Sequence, residues 1–478
     1  MGADGASGAA AWKIGLTGAP APPLSRGLPW VGHLGDLVKD AFPLLLEKHR
    51  ELGPCFRIRA MGQEWTCLVG ADANALITHT GYDLLVTGES YQGFNDAFRS
   101  RSFLIGLDGP AHAHLRRIER RAFSREALAR KLPEAVALTD RTIGGWRDGA
   151  TVDVVAELKA LVVAHLGVTL TGRDASALLA DVQILLNHIV AVTQLKIWPR
   201  FLLRLPRFTG ARARVYADIQ RLIDARRRSP SPAGEEDLID DMLAAKTLEG
   251  APLPDEAIIA ATMGAYMAGL DTAAIIASFI LYAVLKHPAV HRRVLEEIDQ
   301  AFADGPPTWE RMTKMTAFRG ACMEAMRMYP VVGLLPRDAA QDFEFAGYQV
   351  RKGDRLFLGI TATHFDRRFY REPMLFDIDR YAPPREEHKP PGAFAPFGLG
   401  AHKCLGGNMG ELQSMIVVAT LLHRLELRLD PVDYEVKVEA KPLRRPDAKF
   451  RIKVLGRRQR ATVAKTVLRW EASPGATG

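Results

Sequence analysis

Between Ala257 and Leu285 the chain runs for 29 residues with a single charge, Asp271, near the middle. A helix that is apolar all round must be enclosed, either by lipid or by a protein core. A carboxylate at mid-span is costly in lipid, so it needs a partner or a purpose. The flanks favour a core: Pro254, Asp255 and Glu256 form a helix start, and Lys286, His287 and Pro288 a stop. The run therefore predicts one long central helix that the rest of the chain surrounds, with no integral membrane span.

At 478 residues the chain exceeds an ordinary single core, which admits several domains or one unusually large one. Strand-like alternation occurs in 55–70, 343–360, 425–440 and 449–456, whereas nearly everything from Gly109 to Tyr329 reads helical, and another helix follows Leu405. No internal repeat divides it, and "RRRSPSPAGEED" separates two helical segments of similar composition. The expectation is one large domain, mainly α with small β-sheets (α+β), over 21–456. A flexible Ala/Gly/Pro-rich leader, 1–20, and a basic, polar tail, 457–478, flank it. The four cysteines, Cys55, Cys67, Cys322 and Cys404, have no paired spacing, which argues against a disulfide framework or structural zinc and for a cytoplasmic setting. The formal net charge of +8 hints at acidic partners without any nucleic-acid motif.

Cys404 stands out because glycines crowd it in "FGLGAHKCLGG" and an amphipathic helical run begins just behind it. A helix N-terminus favours a thiolate, and glycines let backbone approach a flat object that side chains would push away. An iron-bound thiolate under a haem suits this loop; so does an inert buried cysteine beside a helix cap.

The longer pattern separates these. Phe397, Gly398, Gly400, His402, Cys404 and Gly406 match F-G-x-G-x-[HR]-x-C-x-G, which resembles the haem-thiolate signature of the cytochrome P-450 family. Other motifs of that family follow in order: Glu324 and Arg327 in "EAMRMYP", Arg380 in "FDIDRY", Asp271 and Thr272 in "AGLDT", and His112 and Arg116 in "DGPAHAHLRR". The resemblance covers nearly the whole chain and implies a haem b between the central helix and the cysteine-loop helix, with Cys404 as axial iron ligand. It also implies a structural Glu324–Arg327–Arg380 network and haem propionates held by His112, Arg116, Arg337 and His402, the last where many members carry arginine. Phe397, Gly398 and Gly406 would shape the loop under the haem. Ala268 and Gly269 would leave room for dioxygen, and Asp271 and Thr272 would relay protons. The residues alone leave another account of that last pair, with Thr272 bonded back to its own helix and Asp271 paired with an arginine.

The family's activity would be monooxygenation of a hydrophobic small molecule with O2 and electrons from a separate ferredoxin or flavodoxin-type donor and reductase. A peroxide-using or rearranging enzyme and a non-catalytic haem protein are the rivals. Matching family positions nominate Tyr91, Phe94, Leu104, Ala265, Tyr266, Val332 and Leu334 as substrate contacts. Arg117, Arg120, Arg121 and Arg125 form either a solvated basic face or a docking patch for an acidic electron donor. "LKIWPRFLLRLPRF", from Leu195 to Phe208, is either ordinary packing under snorkelling arginines or a loop that brushes a membrane surface.

Overall fold

The computed structural model describes residues 12–194, 198–440 and 443–458. Residues 1–11 of the expected leader, 195–197 of the basic apolar loop and 459–478 of the expected tail lie outside the described residues. Seven helices position the site: α1 (Leu34–Leu52), α2 (Gly109–Glu119), α3 (Val154–Thr171), α4 (Pro206–Arg228), α5 (Asp255–Lys286), α6 (Thr316–Met328) and α7 (Gly407–Arg424).

The apolar run becomes α5, with Asp255 and Glu256 in its first turn, Lys286 in its last and Pro288 just beyond. By length and composition α5 is able to cross a membrane, as are two other helical stretches, but here protein encloses it. Helices α3, α4, α6 and α7 all pack on it. Gly269 permits the approach of α3, because a Cβ there would lie 2.7 Å from Leu166 Cδ1. Helix α7 is tied to both neighbours: Ser414 Oγ donates to the Ala273 carbonyl at 3.2 Å, and Gln413 Nε2 to the Val162 carbonyl at 3.2 Å. Buried hydroxyls elsewhere on α5 satisfy themselves locally, Thr262 on the Ile258 carbonyl and Ser278 on that of Ala274.

Beside this helical body lies a six-stranded sheet in the order Leu24–Ser25, Cys55–Ala60, Gln63–Val69, Arg355–Gly359, Leu335–Ala339, Leu85–Val86. Its hairpin turns through Met61 and Gly62, both at positive φ (49° and 74°), the conformation that suits a two-residue connection. Cys55 and Cys67 lie on adjacent strands of this hairpin but enter different apolar clusters, one with Leu68 and one with Phe56, so their sulfurs face opposite sides. Arg337, a predicted haem contact, is carried on the strand Leu335–Ala339.

Both expected domain boundaries shift. Trp12–Ile14 pairs antiparallel with Phe343–Phe345, the Gly15 N–H donates to the Asp342 carbonyl at 2.8 Å, and the Thr17 N–H to Gln349 Oε1 at 3.0 Å. Residues 12–20 are therefore fastened to the domain; a three-residue strand offers too little alternation to be seen in a small-residue leader. At the other end Arg457 donates to the Ile143 carbonyl at 2.7 Å and Arg458 pairs with Asp299 at 2.7 Å, so the domain includes the first two residues of the expected tail.

Phe279 is 1% exposed on α5 and stacks on Tyr329 just past α6, with ring centroids 4.8 Å apart. Phe279→Ala is expected to cost about 3–5 kcal/mol, the range for a large buried aromatic. Urea denaturation monitored by circular dichroism checks this; a loss below about 1 kcal/mol would mean that the crossing repacks freely.

Candidate functional site

The loop before α7 is shaped by contacts that exclude side chains. Gly400 has φ of 66°, and a Cβ there would fall 2.4 Å from the Ile77 carbonyl oxygen; Gly398 has φ of 80°. The Cys404 N–H donates to the Phe397 carbonyl at 2.7 Å, closing the loop, and the Phe397 ring lies where a Cβ on Gly407 would approach within 3.2 Å. Gly406 is the residue before α7, so the thiol projects at the helix start as the sequence implied.

Cys404 is exposed, whereas the other three cysteines are buried. Its thiol is nevertheless pushed up by desolvation, against the Gly406 N–H, Arg116 and Lys403, which pull it down. An open but poorly hydrated sulfur belongs to an interior hollow. The helix start alone does not hold this thiolate charged, contrary to the expectation; a cation at the sulfur would have to do so.

The predicted propionate contacts converge. His112, 2% exposed, stacks on His402 with centroids 4.1 Å apart. Burial, then the charges of His402, Arg116 and Arg337, bring the His112 pKa down to about 4, with Asp108 opposing. Arg337 is 8% exposed and donates to the Pro336 carbonyl at 2.7 Å. Arg116 donates to the Lys403 carbonyl at 2.5 Å and so also braces the cysteine loop. Asp108, absent from the sequence reading, accepts from His402 Nε2 at 3.2 Å and from the Thr87 hydroxyl at 2.7 Å. Burial opposes its ionisation, but these bonds carry its pKa down to about 2. Asp108 faces the two histidines, and Glu119 beside Arg116 has its pKa pushed up to about 8 by burial, so the donors outnumber the charged acceptors, which suits a dianionic ligand.

On α5, Ala268 is exposed and Gly264, Ala265, Gly269 and Thr272 are half-open, although the flanking residues are buried. The spacing 264, 268, 272 is one helix face, so α5 presents a strip of small residues to a hollow. Of the two small residues nominated for dioxygen, Ala268 lies on this strip, while the absent Cβ of Gly269 serves the packing of α3. Thr272 donates its hydroxyl hydrogen to the Ala268 carbonyl at 2.7 Å. Asp271, 4% exposed, points away and pairs with Lys159 of α3 at 2.7 Å. The structure thus contains the back-bond of the ion-pair account and an ion pair at Asp271, but the partner is Lys159, which no motif marked, and not an arginine.

The nominated substrate residues divide. Ala265 is on the strip. Tyr266, next to it in sequence, is 1% exposed with its hydroxyl 3.0 Å from Thr171 Oγ1, so it belongs to the α3 contact and not to the hollow. Tyr91 and Phe94 are buried in an aromatic series that continues through Phe98 to Phe103. Phe103, missed in sequence, is the member against the strip, 3.4 Å from where a Gly264 Cβ would be. Leu104 and Val332 are half-buried, and Leu334 packs with the sheet-side cluster.

The proposed docking arginines are mostly engaged: Arg117 donates to His114, Arg121 pairs with Asp241 and Glu236, and Arg125 lies over Trp309 at 5.8 Å. Arg120 remains exposed near Arg116, and Lys403, whose carbonyl Arg116 holds, is exposed too.

Glu324, Arg327 and Arg380 form the expected network, all at 0% exposure. Arg327 binds both Glu324 oxygens at 2.7 and 2.9 Å, Arg380 Nε donates to Glu324 Oε1 at 3.0 Å, and the Tyr381 hydroxyl to Oε2 at 2.7 Å. Arg327 also donates to the His364 carbonyl at 2.6 Å, and His364 Nε2 accepts the Ala395 N–H at 2.9 Å, which passes the restraint to the cysteine loop. No motif marked His364. Glu324→Gln leaves buried Arg327 without its carboxylate and Arg380 with Glu387 alone, and is expected to cost about 3–5 kcal/mol; thermal denaturation against the conservative Arg120→Gln surface control measures it.

The comparisons agree with this geometry. The family model for Cytochrome P450 matches residues 22–454. A cyclooctat-9-en-7-ol 5-monooxygenase of Streptomyces melanosporofaciens is 28% identical over 337 residues, spanning 68% of this chain and 72% of the relative. A pentalenene oxygenase of Streptomyces avermitilis is 28% identical over 330 residues, spanning 67% and 72%. Among solved structures, a retinoic acid-bound cyanobacterial P450 superposes with a TM-score of 0.79 at 24% identity over 91% of this chain and 99% of its own. The match over nearly the whole chain, with the network and the cysteine loop in place, makes this protein a member of the cytochrome P450 family, an oxidoreductase of haem-thiolate type.

Proposed function

We propose that the protein inserts one oxygen atom of O2 into a hydrophobic organic substrate, using haem b and electrons from a separate ferredoxin or flavodoxin-type donor and reductase. One observation carries this reading: the Cys404 thiol is open at the start of α7, and the Ala265–Ala268–Thr272 strip is open on the otherwise enclosed α5. Cys404 would ligate the iron, and His112, Arg116, Arg337 and His402 would hold the propionates. Bound haem would supply dioxygen binding and oxygen transfer, with the thiolate favouring O–O cleavage.

The chain's own part is orientation, desolvation and proton delivery. Thr272 gives its hydrogen to Ala268, so its oxygen offers lone pairs to the hollow and would hold a water or another hydroxyl there. Asp271 reaches such a relay only by leaving Lys159. Aromatic and aliphatic residues around the strip, Phe103 and Ala265 among them, favour an apolar substrate, and the relatives named for pentalenene and cyclooctat-9-en-7-ol support that class. Arg120 and Lys403 would meet an acidic electron donor, a narrower patch than four arginines. The setting would be cytoplasmic, which suits four free cysteines.

The engagement of both relay groups, Asp271 by Lys159 and Thr272 by Ala268, favours a second reading, a peroxide-using enzyme that needs no relay. Turnover with O2 and a reductase system, set against turnover with peroxide alone, separates the two.

Cys404→Ala is expected to abolish the thiolate-type carbon monoxide difference band of the reduced protein; an unchanged band overturns the ligand assignment. Thr272→Ala is expected to retain haem but divert about tenfold more of the reductant into peroxide, less than the roughly 10²–10⁴-fold contribution of a full proton-transfer group because solvent can replace the hydroxyl. Reductant consumed per product formed measures this, and wild-type coupling in the variant would remove Thr272 from the relay.

A further inference from the structure

Resting on that reading, we infer that Arg444 is a positioning residue for the substrate pocket, clamping the segment Pro330–Gly333 that carries the proposed substrate contact Val332. This segment, between α6 and the strand that starts at Leu335, is neither helix nor strand. Two of its consecutive carbonyls are held by Arg444: the guanidinium Nη1 donates to Pro330 at 2.9 Å and the main-chain N–H to Val331 at 3.2 Å. The same guanidinium donates through Nε to Asp40 Oδ2 at 2.9 Å and lies 4.6 Å over the Phe42 ring.

The far side of the clamp comes from a break in α1. Asp40 leaves helical geometry, with φ of −169° and ψ of 108°, and its Oδ1 accepts the Phe42 N–H at 3.1 Å. The break aims both Asp40 and Phe42 at the segment. A Cβ on Gly333 would come 2.8 Å from Phe42 Cβ, so this glycine admits the ring. Phe42 in turn meets Phe365 at 5.7 Å, and Phe365 lies 5.8 Å from the Arg327 guanidinium. The loop before Val332 is thereby referred to the buried Glu324 network. Arg444 and Asp40 side chains are 11% and 14% exposed, dry enough for the pair to be directional rather than a loose surface contact. A guanidinium reaches Asp40 and Pro330 at once through different nitrogens; an ammonium on a lysine stem lacks that fork. Arg444 acts on Val332 through the backbone of Pro330 and Val331.

The test uses the haem-loaded full chain and two azole probes, imidazole and 4-phenylimidazole, titrated by the visible spectral shift on iron ligation. For Arg444→Met the imidazole Kd is expected within about twofold of wild type, while the 4-phenylimidazole Kd changes about tenfold, the scale of a lost charged hydrogen bond. Arg444→Lys should fall between. Asp40→Asn, which keeps the bond from the Phe42 N–H, is a milder second variant should Arg444→Met fold poorly, and should shift the probe ratio in the same direction. Hydrogen exchange of the peptide 329–336 provides a readout independent of haem and should rise about tenfold in both variants. An unchanged probe ratio with unchanged exchange overturns the clamp, even if melting temperature falls. If wild type shows no azole shift at all, the haem reading fails instead, and exchange alone decides the clamp.

Discussion

The carboxylate of Glu324 ties together two fully buried guanidinium groups, with Glu387 backing Arg380 at 2.5 Å, and the geometry of the site hangs from it. Burying a charge is tolerated only when its partners are in place. Here the accounting is nearly complete: Glu324 takes bonds from Arg327, Arg380, Tyr381 and the Asp377 N–H, while Arg380 also serves the Arg371 and Leu375 carbonyls. Such a knot gains little net stability but penalises any displaced arrangement heavily. That is a useful property beneath a loop whose cysteine, on the proposed reading, would meet a metal from one direction.

The hollow is defined by what is small as much as by what is present. The 264–268–272 strip of α5 opens a face, Gly400 lets the cysteine loop rest against Ile77, and the histidine–arginine cluster supplies donors on the rim. Asp271 and Thr272, adjacent in sequence, look in different directions because neighbours on a helix are about 100° apart. The acid belongs to the packing between α3 and α5, the hydroxyl to the hollow. A proton path using both must therefore include a motion or a solvent molecule between them.

Much of this was legible from residue order alone. The apolar run with its capped flanks pointed to a central helix, the hairpin 55–69 alternated cleanly, and the cysteine loop, the Glu-x-x-Arg turn and the His112–Arg116 pair are each local in sequence. What escaped shares a physical feature, namely partners distant in sequence with no local pattern. Lys159 meets Asp271 across two helices, His364 meets Ala395 across 31 residues, and Asp40 meets Arg444 across 404. The strand at Trp12–Ile14 exists because Phe343–Phe345 offers an edge, not because its own residues insist on it. Tyr266 misled for a related reason: aromatic character suggested a pocket, while its angle on α5 sent it toward Thr171.

One detail of the network sets a limit on the conditions this fold endures. His364 receives the Ala395 N–H on Nε2, so that nitrogen must be free of a proton, and burial followed by the Arg327 charge depresses the imidazole pKa to about 3. The unfolded chain, with an ordinary histidine, takes up a proton below about pH 6.5 that the folded chain refuses until about pH 3. Each step of acidification through that window thus rewards unfolding. The link between the arginine knot and the cysteine loop is also the place where acid has leverage, so mild acid should loosen the cysteine loop before it reaches the carboxylates.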